Sequence, residues 1–99
     1  RPAVRTEAER RAELEYAAKL ERAKGELKHL HELVHNSEER IEQGRRYLAV
    51  ILDEYGRGVK NSADVLVAAQ RQLGFLRGSA ERRRDHELAK ARVLLLLGR

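Results

Sequence analysis

Residues Ser37 to Val59 read SEERIEQGRRYLAVILDEYGRGV, and how this stretch is bounded decides the fold. Ile41, Gly44, Leu48, Ile51, Leu52, Tyr55 and Val59 recur at steps of three and four, which places them on one face of a helix. Tyr47 and Val50 widen the stripe, so between Tyr47 and Leu52 only the small Ala49 faces away. A helix so apolar at its centre is expected to be covered on more than one side.

Working outward, both ends of this stretch carry turn chemistry. On the N-terminal side, His35-Asn36-Ser37 joins a residue tolerant of left-handed geometry to a candidate N-cap. Glu38 and Glu39 follow, where a helix N-terminus favours acids. The expectation is a turn there. Upstream, Thr6 and Glu9 have capping-box spacing. Tyr16, Leu20, Ala23, Leu27, Leu30 and Val34 then make a clean helical stripe. Gly25 is its weak point, costing about 1 kcal/mol relative to Ala.

On the C-terminal side the central helix weakens at Gly56 and Gly58, and Asn61-Ser62 repeats the Asn-Ser punctuation, with Asp64 in the next first turn. A third helix from Ala63 is expected to turn Val65, Leu66, Ala69, Leu73 and Leu76 to the core. Two short turns imply antiparallel neighbours. The expected fold is therefore all-α: one domain over residues 1–99, an up-down-up antiparallel three-helix bundle with long first and third helices.

Gly78-Ser79 admits two continuations. Ser79 as an N-cap would begin a fourth helix that folds back; otherwise the third helix runs straight to Leu97. The straight helix is the favoured reading, because Gly is tolerated inside helices. A register with turns at Asn36 and Asn61 places Gly44 near Gly78 and Glu38 near Arg84. The straight helix then overruns the bundle at about Arg84 and carries Leu88, Ala91, Val93, Leu94, Leu95, Leu96 and Leu97 where no other part of the chain is expected to reach them. Such a patch normally marks an association surface. With Arg82 and Arg84, these residues are the expected contacts for a protein partner, either a homo-oligomer or another helical chain.

Composition narrows the classes. A hydrophobic share of 41% over 99 residues suits a single modest core, and one Pro with four aromatics disfavours sheet. The chain has no Cys, which excludes disulfides and thiolate metal sites. No apolar run approaches the ~20 residues of a membrane span, and no signal-peptide pattern opens the sequence, so a cytoplasmic location is the expectation. The net charge is +5 with both signs interspersed, as on the solvated faces of a bundle.

Sites of chemistry are sparse. His31 and His35 lie four apart on one helical face, and the straight-helix register brings His86 near His35. These three are the metal-ligand candidates, since imidazoles at that spacing can share an ion; no other cofactor is expected. The Arg82-Arg83-Arg84 run lacks interleaved aromatics and is flanked by acids, so nucleic acid is not the expected partner. Gly44, Gly74 and Gly78 fall in adjacent layers, where small residues either allow close helix approach or open a pocket for a flat ligand. The serines at 37, 62 and 79 all read as N-caps, and no nucleophile elbow, phosphate loop or paired buried carboxylate can be placed. The chain is not expected to be an enzyme.

From Ile41 onward the residues Ile41, Gly44 and Leu48, followed by Ala69, Leu73, Leu76 and Leu88, are similar to the antiparallel coiled-coil domains of Rho effectors. That resemblance covers roughly the last sixty residues and implies binding of a small GTPase along a hairpin face. Arg45 departs from it, standing where the family has a small residue, and the long first helix has no counterpart. The absence of Met, Cys and Trp and the repeated Asn-Ser and Gly-Ser pairs also resemble designed helical bundles, while the glycines and the scarcity of Lys do not.

Overall fold

The computed structural model describes residues 6–98. It contains two helices, α1 (Glu7–Gly56) and α2 (Ser62–Leu97), packed antiparallel as a hairpin. The expected three-helix bundle is thus corrected to two helices, because no turn forms at Asn36-Ser37.

The reason lies in the phase of the apolar stripe. Val34 and Ile41 are seven residues apart with Ser37 between them, so the stripes on either side continue one another without a break. Tyr16, Leu20, Ala23, Leu27, Leu30, Val34, Ser37, Ile41, Gly44, Leu48 and Ile51 are all buried or half-buried along one seam. A repeat of seven keeps that seam facing a single partner helix. Asn and Ser in a helix interior each cost only about 0.5–0.7 kcal/mol relative to Ala. Ser37 does not cap; its hydroxyl donates to the Val34 carbonyl at 2.7 Å, a bond helices accommodate.

The true ends are well capped. Thr6 and Glu9 form the anticipated capping box, with the Thr6 hydroxyl accepting from the Glu9 amide at 3.0 Å and the Glu9 carboxylate accepting from the Thr6 amide at 3.1 Å. Asn61 rather than Ser62 caps α2, in a reciprocal pair with Asp64. Between the helices, Val59 N–H donates to the Glu54 carbonyl at 2.8 Å and Gly58 N–H to the Tyr55 carbonyl at 3.0 Å. This is a Schellman closure, and its left-handed residue is Gly58, at φ 78°.

α2 passes unbroken through Gly78-Ser79, so the fourth-helix alternative is also corrected. Ser79 is buried in the seam and caps nothing. The inward residues of α2 are Val65, Ala68, Gln72, Phe75, Ser79, His86, Ala89, Val93 and Leu96, again a three-four repeat, interrupted at the exposed Arg82. Of the stripe expected to form the core, Val65 faces inward, while Leu66, Ala69, Leu73 and Leu76 are rotated outward.

Register is pinned along the whole length. The Gln72 amide donates to the Ile41 carbonyl at 2.9 Å, Arg83 pairs with Glu38 at 2.9 Å, Arg92 pairs with Glu26, and the Tyr16 hydroxyl donates to the Leu96 carbonyl at 2.6 Å. Residues 6–15 project past the end of α2 and are exposed. The result is a rod of 84 × 17 × 15 Å with a radius of gyration of 23.2 Å, against roughly 13 Å for a compact chain of this length.

Candidate association surfaces

The C-terminal leucines do not overrun the fold as expected. With α1 unbroken, its first half runs beside them, and Val93 is buried while Leu96 is half-buried against that helix. Leu96 therefore serves the hairpin itself. Leu88, Leu94, Leu95 and Leu97 stay exposed, as do Ala91, Arg82 and Arg84. Around the end of α2 an open groove is lined by Lys19, Arg22, Glu26, Arg92, Leu95 and Leu96, with Ala23 at its base.

A second apolar area, whose stripe the sequence pattern assigns to the core, lies toward the turn. Leu66, Leu73 and Leu76 of α2 are 58%, 45% and 47% exposed, and Leu52 of α1 is 49% exposed. Ala69 and Ala80 continue the same stripe of α2 and are exposed too. The inward stripe of this helix contains Gln72, Ser79 and His86, whereas the outward one is uninterrupted apolar from Leu66 to Ala80. The signal is present in the sequence as two adjacent stripes of unequal polarity; nothing in it says that the poorer one faces α1.

What favours the poorer stripe is space. Gly44 lets α2 come close: a Cβ there would collide with the Gln72 side chain and lie 2.9 Å from the Phe75 ring. Ala23, Ala68 and Ala89 are buried in the same seam, and small residues of this kind reduce interhelical spacing. Gly44 thus faces Gln72 and Phe75 rather than Gly78, and a small cleft of about 200 Å³ lies there between Tyr47, Arg71, Gln72 and Phe75; Gly74 and Gly78 have nothing within 4 Å of a Cβ. The Gln72 carbonyl oxygen and the Ser79 hydroxyl are buried with no hydrogen-bond partner, so this seam is a poor core.

Among the histidines, the structure joins His31 to His86, with ring centroids 5.7 Å apart and planes tilted by 47°. His35 points along its own helix to Glu39 at 3.4 Å. The shift of one turn relative to the expected register, which had His86 level with His35, follows from the connection turning at Gly58 rather than at Asn61. Lys24, Lys28 and Lys90 line the groove beside the His31–His86 pair, a charge environment that opposes a cation. Among the described residues no group of three His, Cys, Asp or Glu side chains is arranged to hold a metal ion.

The arginine run is spread around α2. Arg83 is tied to Glu38, and Arg82 and Arg84 leave the helix at other angles. Arg71 lies over Tyr47 and Phe75, 6.0 and 5.7 Å from the ring centroids. On α1, Arg45 makes a two-pronged contact to Glu42 at 2.7 and 3.0 Å, and this hydrogen bonding holds the Glu42 carboxyl at about 2, far below its ordinary 4.5. No helix among the described residues is long and apolar enough to cross a membrane.

Comparisons with protein families, with curated proteins and with solved structures find no match to this chain.

Proposed function

We propose that this chain is a non-enzymatic helical association module whose working surfaces are the leucines that the hairpin leaves outside. The observation that carries the reading is that the more apolar stripe of α2 faces solvent while a stripe containing Gln72, Ser79 and His86 faces α1. The accessible surface of 7952 Å² exceeds by roughly 2,200 Å² the value of about 5,800 Å² for a compact chain of this mass. Ala23, Ile51, Ala68, Ala89 and Val93 are the buried hydrophobic residues among those described. A core that small offers little against the conformational entropy of ordering two long helices, and covering the outer leucines would supply the difference at about 1.5–3 kcal/mol per fully buried side chain.

The C-terminal group, Leu88, Ala91, Leu94, Leu95 and Leu97 with Arg82 and Arg84, remains part of this proposed surface. The antiparallel pairing from Ile41 onward agrees in form with the Rho-effector resemblance; a GTPase partner stays an expectation of that resemblance alone. Solution mass and cooperativity of thermal unfolding test the reading, measured on the wild type and on Leu94→Glu with Leu95→Glu. An associating species, or a loosely folded chain that gains helix when a partner is supplied, is expected. A monomer that melts cooperatively and binds no apolar dye would overturn it.

A further inference from the structure

The ion pairs that cross between α1 and α2 join opposite signs: Arg83 meets Glu38 at 2.9 Å, and Arg92 meets Glu26. One stretch breaks that pattern. Lys24, Lys28 and His31 of α1 face His86 and Lys90 of α2 around an open groove of about 350 Å³, with Leu27 between them. The two imidazoles meet across the seam with ring centroids 5.7 Å apart, and His86 is half-buried there. No carboxylate lines the groove. Like charges set against one another destabilise packed helices, so folding gains nothing from this arrangement. An anion between them would.

We propose that this groove binds a compact multivalent phosphate, of the class of a short inorganic polyphosphate, between the ammonium groups of Lys24, Lys28 and Lys90 and the imidazoles of His31 and His86. Lys28 has no ion-pair partner among the described residues. Lys24 reaches Glu21 at 3.5 Å and Lys90 reaches Glu87 at 3.0 Å, each along its own helix. Glu87 also lies 3.7 Å from His86 Nδ1. Exposed pairs of this kind hold little free energy, so both lysines can turn to a ligand of higher charge.

Charge and dimension select the class. Three ammonium groups exceed what a single carboxylate neutralises. Lys24 and His31 are seven residues apart, about 10 Å along the helix at 1.5 Å per residue, a length that a few linked phosphates span. The surroundings disfavour an extended anionic surface. Glu21 and Glu87 stand beside the lysines and Glu32 borders the adjoining hollow at His31, where a bilayer or a duplex would press its phosphates against them. A small ion sits within the groove and avoids them. The site is independent of the association reading, which stands whether or not the anion binds.

The test is calorimetric titration of the full chain with inorganic tripolyphosphate, without divalent cations, at about 0.15 M salt, where distant charges are largely screened. One ion per chain is expected, with resonance shifts centred on the His31 and His86 rings. Lys28→Gln with Lys90→Gln is expected to weaken binding at least about tenfold. Lys19→Gln with Arg22→Gln removes the same charge from the groove at the end of α2 and is expected to change affinity less than about threefold. Without ligand, Lys28→Gln is expected to melt no lower than wild type, since the two residues have similar helix propensity and the change relieves repulsion. Absence of tripolyphosphate binding overturns the inference. So does equal weakening by the two double variants, which would mark attraction to the net charge of +5 rather than a site. A lower melting temperature for Lys28→Gln would assign that lysine to the fold and also overturn it. Binding to anionic phospholipid vesicles or a DNA duplex, with none to tripolyphosphate, does the same.

Discussion

Glu42 shows how local contact sets a single residue's chemistry. The Arg45 hydrogen bonds, aided by the Arg45 and Arg46 charges, hold its carboxyl at about 2. Because the folded value lies below the ordinary 4.5, the contribution to helix stability is complete above that pH and is lost as pH falls through about 2. A carboxyl NMR titration is expected to place Glu42 near 2 and to return it toward 4.5 in Arg45→Ala; a wild-type midpoint at the ordinary value would refute the contact. The glycines make a second residue-level test. Gly25 has open space where a Cβ would stand, and Gly44 does not. Gly25→Ala is expected to raise stability by about 0.5–1 kcal/mol, whereas Gly44→Ala drives a methyl against Gln72 and Phe75 and falls below wild type in denaturant unfolding. In the sequence these two glycines look alike, since what a missing side chain faces depends on the helix opposite.

At the scale of elements, one turn is legible in the sequence and one apparent turn is false. Gly58 and Asn61 terminate helices because each supplies geometry a helix cannot, a left-handed residue and a side-chain acceptor for a free amide. Asn36-Ser37 has the same composition and neither a glycine nor a proline beside it, and the apolar repeat runs straight through it. Phase, rather than turn-residue chemistry, decides that point, and the seven-residue step from Val34 to Ile41 is legible in the sequence itself. The choice between the two stripes of α2 is not, because it depends on how closely Gly44 and the alanines let the helices approach. If α1 is continuous, Asn36→Ala is expected to stabilise the fold by about 0.5 kcal/mol through helix propensity; at a capped turn it would destabilise by about 1 kcal/mol. The far end of the hairpin is closed by Tyr16, whose hydroxyl takes a carbonyl left free at the end of α2. Tyr16→Phe is expected to cost about 0.5–1.5 kcal/mol, and faster amide exchange confined to the last turns of α2 would report it.

For the whole molecule the governing fact is proportion. An 84 Å rod about 15 Å thick has one seam and two outer flanks, and this chain places Gln, Ser and His in the seam and leucine on a flank. Three helices would have hidden those leucines inside one chain; with two helices they can be hidden only by something else. The C-terminal leucines follow the same logic, since the unbroken α1 runs beside the end of α2 and draws Leu96 inward. Association is therefore the central claim, and the measurement that tests it most directly is the melting temperature of the wild type followed by circular dichroism over a hundredfold range of protein concentration. The midpoint is expected to rise steadily with concentration, as mass action requires when folding and association are linked. A sharp transition at one temperature throughout that range, with the mass of a single 11.4 kDa chain, would contradict it.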